Sequence, residues 1–142
     1  MNVLIDTSVW SLAFRKQSKT DIDKRVMDEL SELIRELRIV MIGPIRQELL
    51  SGISDRDKFE QLRQRLRIFD DEAVNTEHYE LAASLANECR RKGIQGSHTD
   101  FLICAVSIKN SYPIYTLDED FERYKKHIAI KLHTFRESSG NS

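Results

Sequence analysis

The chain has 142 residues, with 22 Lys and Arg against 23 Asp and Glu, 40% hydrophobic and 32% charged positions, and only 5 Gly and 2 Pro. Such a length suits one domain with its own core, and the composition excludes a disordered chain while favouring a compact α-rich or α/β protein. The formal net charge of -1 gives none of the overall basic excess often found in nucleic-acid proteins. No apolar run approaches membrane-spanning length and no leader-like segment opens the chain, so a cytoplasmic protein without a membrane partner is expected.

In chain order, Asn2-Val3-Leu4-Ile5 reads as a buried strand ending at Asp6-Thr7-Ser8, a cluster of N-cap types, and Val9 to Phe14 as a short helix. After a polar loop, Ile22, Val26, Leu30, Leu33, Ile34 and Leu37 recur at helical spacing, predicting a helix from Asp21 to about Arg38. Ile39 to Ile42 is a second strand, and Gly43-Pro44 opens a short helix ending near Gly52. A helix across 55–66, a brief strand at Ile68-Phe69 and an amphipathic helix over 77–92 follow. Gly96 to Thr99 reads as a loop, and 100–110 as a helix apolar nearly all round. A strand over 113–116, a helix over 119–126 and a last strand over 128–132 complete the pattern. Strands separated by helices predict an α/β fold with an open, mostly parallel sheet covered on both faces. The domain should occupy 1–136, with 137–142 as a frayed tail.

Four carboxylates fall at the mouths of separate elements: Asp6 after the first strand, Glu48 on the helix from Pro44, Asp100 opening the apolar helix, and Asp118 after the strand at 113–116. In parallel sheets ligands gather outside the carboxyl ends of the strands, where Asp6 and Asp118 fall directly. Gathered carboxylates cannot all stay ionised without nearby positive charge, so the set points to a divalent cation and a phosphodiesterase. Each acid also has an ordinary role: Asp6 and Asp118 as helix caps, Asp100 as a partner of its helix dipole. Glu48 shares a face with Ile45, Leu49 and Gly52, which places it on an inward stripe where a cation or an arginine such as Arg46 would have to compensate it.

The ordered segments Asp6-Thr7-Ser8-Val9-Trp10, Pro44 to Gly52, Asp100 to Ala105 and Tyr115-Thr116-Leu117-Asp118-Glu119-Asp120-Phe121 resemble the PIN-domain family, particularly its VapC-like ribonuclease toxins. That resemblance covers nearly the whole chain. It implies a three-layer α/β/α fold and a Mg²⁺- or Mn²⁺-dependent endoribonuclease that hydrolyses phosphodiesters with a metal-activated water, leaving 5′-phosphate and 3′-hydroxyl ends. By position it makes Asp6, Glu48, Asp100 and Asp118 the catalytic and metal-binding acids, with Asp120 an open alternative at the fourth place. Thr7, Ser8 and Thr116 become the supporting hydroxyls. The implied partners are an RNA substrate, a small cognate antitoxin of a toxin–antitoxin pair, and a second copy in a homodimer. Cys104 stands where the family more often has Ala, a small apolar exchange that leaves the chemistry intact.

Other features carry less. The clusters Arg63, Arg65, Arg67, then Arg90, Arg91, Lys92, and Arg123, Lys125, Lys126 could grip a nucleic-acid backbone, though late-helix cations more simply complement the dipole. Trp10 and Phe14, four apart, favour core packing over an exposed aromatic patch. Cys89 and Cys104 lack CxxC spacing and read as buried thiols. The scattered His78, His98, His127 and His133 give no support to metal-free RNA cleavage, and only His98 lies near a candidate acid. A haloacid-dehalogenase-like aspartyl nucleophile at Asp6 would want a second Asp at position 8, which is Ser8. A non-catalytic PIN-like module for binding RNA or protein is the other reading, and the presence of all four acids argues against it.

Overall fold

A computed structural model of the chain describes residues 1–15 and 19–137. The first apolar run forms β1 (Val3–Ile5), which lies between β2 (Ile39–Val40) and β3 (Ile114–Tyr115) in a parallel sheet of order β2-β1-β3. Val3 stands opposite Ile39, Leu4 opposite both Val40 and Ile114, and Ile5 opposite Tyr115. Successive side chains of a strand point to opposite faces. Val3, Leu4 and Ile5 are all 0% exposed, so both faces of the sheet are covered. Coverage comes from α1 (Thr7–Phe14), α2 (Asp21–Arg35), α3 (Gly43–Ser51), α4 (Arg56–Leu66), α5 (Thr76–Arg91), α6 (His98–Asn110) and α7 (Asp120–Lys125). The architecture is the three-layer α/β arrangement with a parallel sheet that the alternating strand and helix signals predict. No helix among the described residues is long and apolar enough to cross a membrane.

Local chemistry sets the helix ends. Thr20 and Asp23 form a capping box on α2, Asp55 accepts from the amides of Asp57 and Lys58 on α4, and Ser97 accepts from the Asp100 amide on α6. Helix α6 is buried at seven consecutive positions from Phe101 to Ser107, as its nearly continuous apolar run requires.

Several boundaries differ from the sequence reading, each for a local reason. Helix α2 stops at Arg35 because Leu37 adopts φ 58°, and the Arg38 amide then closes back onto the Leu33 carbonyl. Leu37, counted into the buried stripe, is 88% exposed. No strand forms at Ile68-Phe69. The Arg67 and Phe69 amides bond back to Gln64 and Leu66 as α4 unwinds, and pairing resumes only at the isolated parallel bridge between Met41 and Asp71. The last expected strand is likewise reduced to a bridge between Ile114 and Leu132, held by Ile114 N to Lys131 O and His133 N to Ile114 O. The expected loop at 96–99 is already helical from His98.

The segment after that bridge is anchored to α2. Glu29, on the buried side of α2, accepts hydrogen bonds from Arg136 and pairs with His133, and Arg136 also bridges to Glu36. The frayed tail expected at 137–142 lies outside the described residues beyond Glu137, as do positions 16–18 of the loop after α1.

Candidate metal centre

The carboxyl ends of β1 and β3 carry the first two acids, and hydroxyls stitch the two exits together. Asp6 follows β1, is 5% exposed, and caps α1. Its Oδ2 accepts from Ser8 Oγ at 2.7 Å and from Thr116 Oγ1 at 2.7 Å, with a longer bond from the Ser8 amide at 3.4 Å. Ser8 Oγ also accepts from the Leu117 amide, and Thr116 Oγ1 accepts from the Asp118 amide. The Asp6 amide donates to the Tyr115 carbonyl, which closes the junction. Ser8 and Thr116 thus both bond to the Asp6 carboxylate, whereas Thr7 Oγ1 is buried and has no hydrogen-bond partner among the described residues.

Asp118 turns the chain into α7 by accepting from the Asp120 amide through Oδ1 at 2.9 Å. This turn swings Asp120 back towards Asp118, and Asp100 arrives from the first turn of α6. One carboxylate oxygen from each of Asp100, Asp118 and Asp120 lies within 4.8 Å of the others. The sequence left Asp118 and Asp120 as alternatives; the geometry brings both into one group with Asp100.

Burial pushes the Asp100 carboxyl above its ordinary range, and the charges of Asp6 and Asp118 add to that push against the hydroxyls of Tyr124 and Ser97. Tyr124 on α7 donates its hydroxyl to Asp100 Oδ2 at 2.7 Å. No sequence pattern marks that residue. It lies 24 positions from its partner, and as an apolar-compatible aromatic on a short helix it signals only core. Arg123 pairs with Asp120 through Oδ1.

The chemistry of the donors fits a hard divalent cation. Asp6, Asp100, Asp118 and Asp120 each engage only one oxygen in hydrogen bonds, leaving the other without a partner among the described residues. Oxygen donors of this kind suit Mg²⁺ or Mn²⁺, which need few protein ligands because water and phosphate complete the shell.

Glu48 departs from its expected place. Ile45 and Leu49 are the buried residues of α3, and Arg46 and Leu50 are half-buried, so the inward face turns towards 46 and 50. At about 100° per residue, Glu48 falls on the opposite flank of Ile45 and is exposed. Its carboxylate is outside the Asp100, Asp118 and Asp120 group. Arg46, weighed as its possible partner, instead binds Asp71 and the carbonyls of Leu66 and Phe69.

The remaining candidates resolve in structural terms. Trp10 is 2% exposed and packs on Phe69 with ring centroids 5.1 Å apart. Cys89 and Cys104 are buried free thiols whose ionisation is pushed up by burial. His78 is buried between the Asn75 amide and the Asn110 side chain, whereas His98 is exposed.

Comparison with known proteins adds the family. Residues 3–127 match the family model described as PIN domain. No curated protein matches the chain at a significant level. Among solved structures, the fold is similar to that of FitAcB from Neisseria gonorrhoeae, with a TM-score of 0.74 and 21% identity over 93% of this chain and 96% of that one. VapBC2 from Rickettsia felis, in a complex with a DNA fragment from its promoter, gives a TM-score of 0.75 and 17% identity over 94% and 98% of the two chains. VapBC-5 from Mycobacterium tuberculosis, described as a member of a toxin-antitoxin family, gives 0.66 and 18% over 92% and 96%.

Proposed function

We propose, from the premise that this chain belongs to the PIN domain family, that it is a divalent-metal-dependent endoribonuclease and the toxin of a toxin–antitoxin pair. The observation that carries the reading is the convergence of Asp100, Asp118 and Asp120 at the carboxyl edge of a parallel sheet, with Asp6 beside them. A fold needing only stability gains nothing from collecting like charges in a half-buried site. The likeness to toxin–antitoxin complexes supports a small antitoxin as protein partner, and the family resemblance supports RNA as substrate and a homodimer as the working form.

In this reading Asp100, Asp118 and Asp120 hold Mg²⁺ or Mn²⁺ through their free oxygens. When bound, the cation would supply positive charge against a phosphodiester and acidity to a nucleophilic water. Asp6 contributes its unengaged oxygen and keeps the β1 and β3 exits in register through Ser8 and Thr116. Glu48 acts from the rim on substrate or solvent, because its side chain is exposed and uncommitted. Thr7, the residue after Asp6, is the third supporting hydroxyl of this reading, buried and without a hydrogen-bond partner among the described residues.

The test is cleavage of a mixed RNA pool by purified protein with Mn²⁺, with EDTA, and with Asp118→Asn, followed by sequencing of the product ends. Cuts that require both the cation and Asp118, leaving 5′-phosphates, are expected. Folded wild-type protein that binds Mn²⁺ yet cuts no RNA would move the reading to a non-catalytic binding module.

A further inference from the structure

Tyr124 is fully buried on α7, with its ring packed between Phe101 and Phe121 at centroid distances of 5.0 and 5.3 Å. A phenylalanine would fill the same volume. The hydroxyl is therefore the part of the side chain that packing alone does not call for, and it goes to Asp100 Oδ2 at 2.7 Å. A carboxylate turns easily about its last torsion, where the energy wells are broad. One strong hydrogen bond to a rigidly packed phenol fixes the plane of the Asp100 carboxylate and leaves Oδ1 as its uncommitted oxygen.

A second observation, on a different segment, points the same way. A Cβ at Gly96 would lie 2.2 Å from the Tyr124 hydroxyl oxygen, 2.8 Å from its Cζ and 3.0 Å from Phe101 Cε2. Gly96 does not adopt a positive φ, a conformation that among the described glycines belongs to Gly93. Space, rather than backbone torsion, is what glycine provides at 96. Any side chain there would have to displace the ring that reaches Asp100.

We propose that Tyr124 is the positioning residue of Asp100, holding its carboxylate in a cation-ready orientation, and that Gly96 leaves the opening through which the phenol reaches it. The inference rests on the metal reading above and names the side chain that prepares one of its ligands. Tyr124 touches neither cation nor substrate in this role. Partners of this outer kind commonly change metal affinity by about 10- to 100-fold.

Mn²⁺ affinity by calorimetry, together with the thermal midpoint in EDTA, tests this on wild type, Tyr124→Phe, Gly96→Ala and the double variant. Tyr124→Phe is expected to weaken Mn²⁺ binding by about 10-fold or more. Its EDTA midpoint should move by no more than about 5 °C, the scale of one hydrogen bond. Gly96→Ala should weaken binding similarly by displacing the ring, and should add little to the loss already present in Tyr124→Phe, because both act through one contact. A merely structural role would lower the EDTA midpoint and leave affinity within about twofold of wild type, and that result overturns the inference while leaving the metal reading standing. Wild-type protein with no Mn²⁺ binding sensitive to Asp118→Asn overturns both.

Discussion

A buried and a half-buried carboxylate in this molecule meet the cost of leaving water in opposite ways. Glu29 on α2 is 3% exposed and is met by hydrogen-bonding partners, among them a guanidinium: His133 Nε2 at 2.7 Å, Arg136 Nε at 2.8 Å and the Arg136 amide at 3.1 Å. Burial alone would push its carboxyl up, but the bonds from Arg136 and His133 together outweigh it and hold the group below its ordinary 4.5. Asp100 on α6 faces hydroxyls and other acids, so burial and like charge combine to push its carboxyl up. The first region has completed its charge balance within the chain, whereas the second carries three gathered acids against the one ion pair from Arg123 to Asp120, an imbalance that the proposed cation would offset.

The largest effects should come from neutralising each acid in turn. Asp100→Asn or Asp118→Asn is expected to reduce Mn²⁺-dependent RNA cleavage by roughly 100-fold or more. In EDTA the same variants should match or exceed the wild-type thermal midpoint, since each removes one of several crowded negative charges. Glu29→Gln should do the reverse. It strips the compensation from His133 and Arg136, and because Arg136 is half-exposed and keeps Glu36, a loss of about 2 to 3 kcal/mol, or roughly 6 to 10 °C in midpoint, is expected. Cleavage per folded molecule should be unaffected in Glu29→Gln. A fall in EDTA midpoint for Asp100→Asn as large as that for Glu29→Gln would erase the contrast.

Acid titration sharpens the same contrast by sign. A carboxylate with a depressed folded pKa adds stability that is present above its unfolded value and lost as pH falls through the folded one. Glu29 should therefore withdraw stability as pH drops below about 4.5. Glu36, held at about 2 chiefly by the Arg136 guanidinium, titrates in the same direction on the surface. Asp100 behaves oppositely: its ionised form costs stability at neutral pH, and the cost is relieved as pH falls through its raised value towards the ordinary 3.8. Scanning calorimetry in EDTA should show the acid-side loss flattened in Glu29→Gln and steepened by Asp100→Asn, which removes the offsetting relief.

The sequence made one half of this comparison legible and hid the other. Asp6, Asp100 and Asp118 could be placed because each sits at an element boundary that local chemistry marks: an apolar run ending in cap types, the first turn of a wholly apolar helix, a strand exit. The fold was readable for the same reason, since three-residue β1 is apolar throughout and helices with caps separate the strands. Glu29 gave no signal, because its partners lie more than 100 residues away in the stretch between the strand read over 128–132 and the tail read from 137. Tyr124 and Gly96 were silent because their contact depends on how α7 returns over the loop before α6. At Glu48 the reading took the phase of α3 from Ile45, Leu49 and Gly52. Ile45 and Leu49 are buried as that phase requires, but Glu48 lies on the exposed flank. The half-buried flank belongs to Arg46, whose guanidinium bonds to the Leu66 and Phe69 carbonyls at the end of α4. A charged residue took an inward place that hydrophobic periodicity cannot anticipate.

Glu48 also supplies the smallest and most discriminating prediction. A hard cation such as Mg²⁺ keeps several waters and is held by two or three carboxylates, a number that Asp100, Asp118 and Asp120 already meet. In the proposed reading Glu48, exposed on the flank of α3, is therefore not needed to hold the ion and acts on the solvent or substrate around it. Glu48→Gln should accordingly leave Mn²⁺ affinity within about threefold of wild type and slow cleavage by less than about tenfold, well short of the outer-partner range. Parallel Mn²⁺ titrations of Glu48→Gln and Asp118→Asn measure the difference. If Glu48→Gln abolishes binding as completely as Asp118→Asn, α3 must rotate its acid inward when the cation arrives. The ligand set would then span the β1, α3, α6 and β3 exits, and the group at 100, 118 and 120 would be its metal-free resting arrangement.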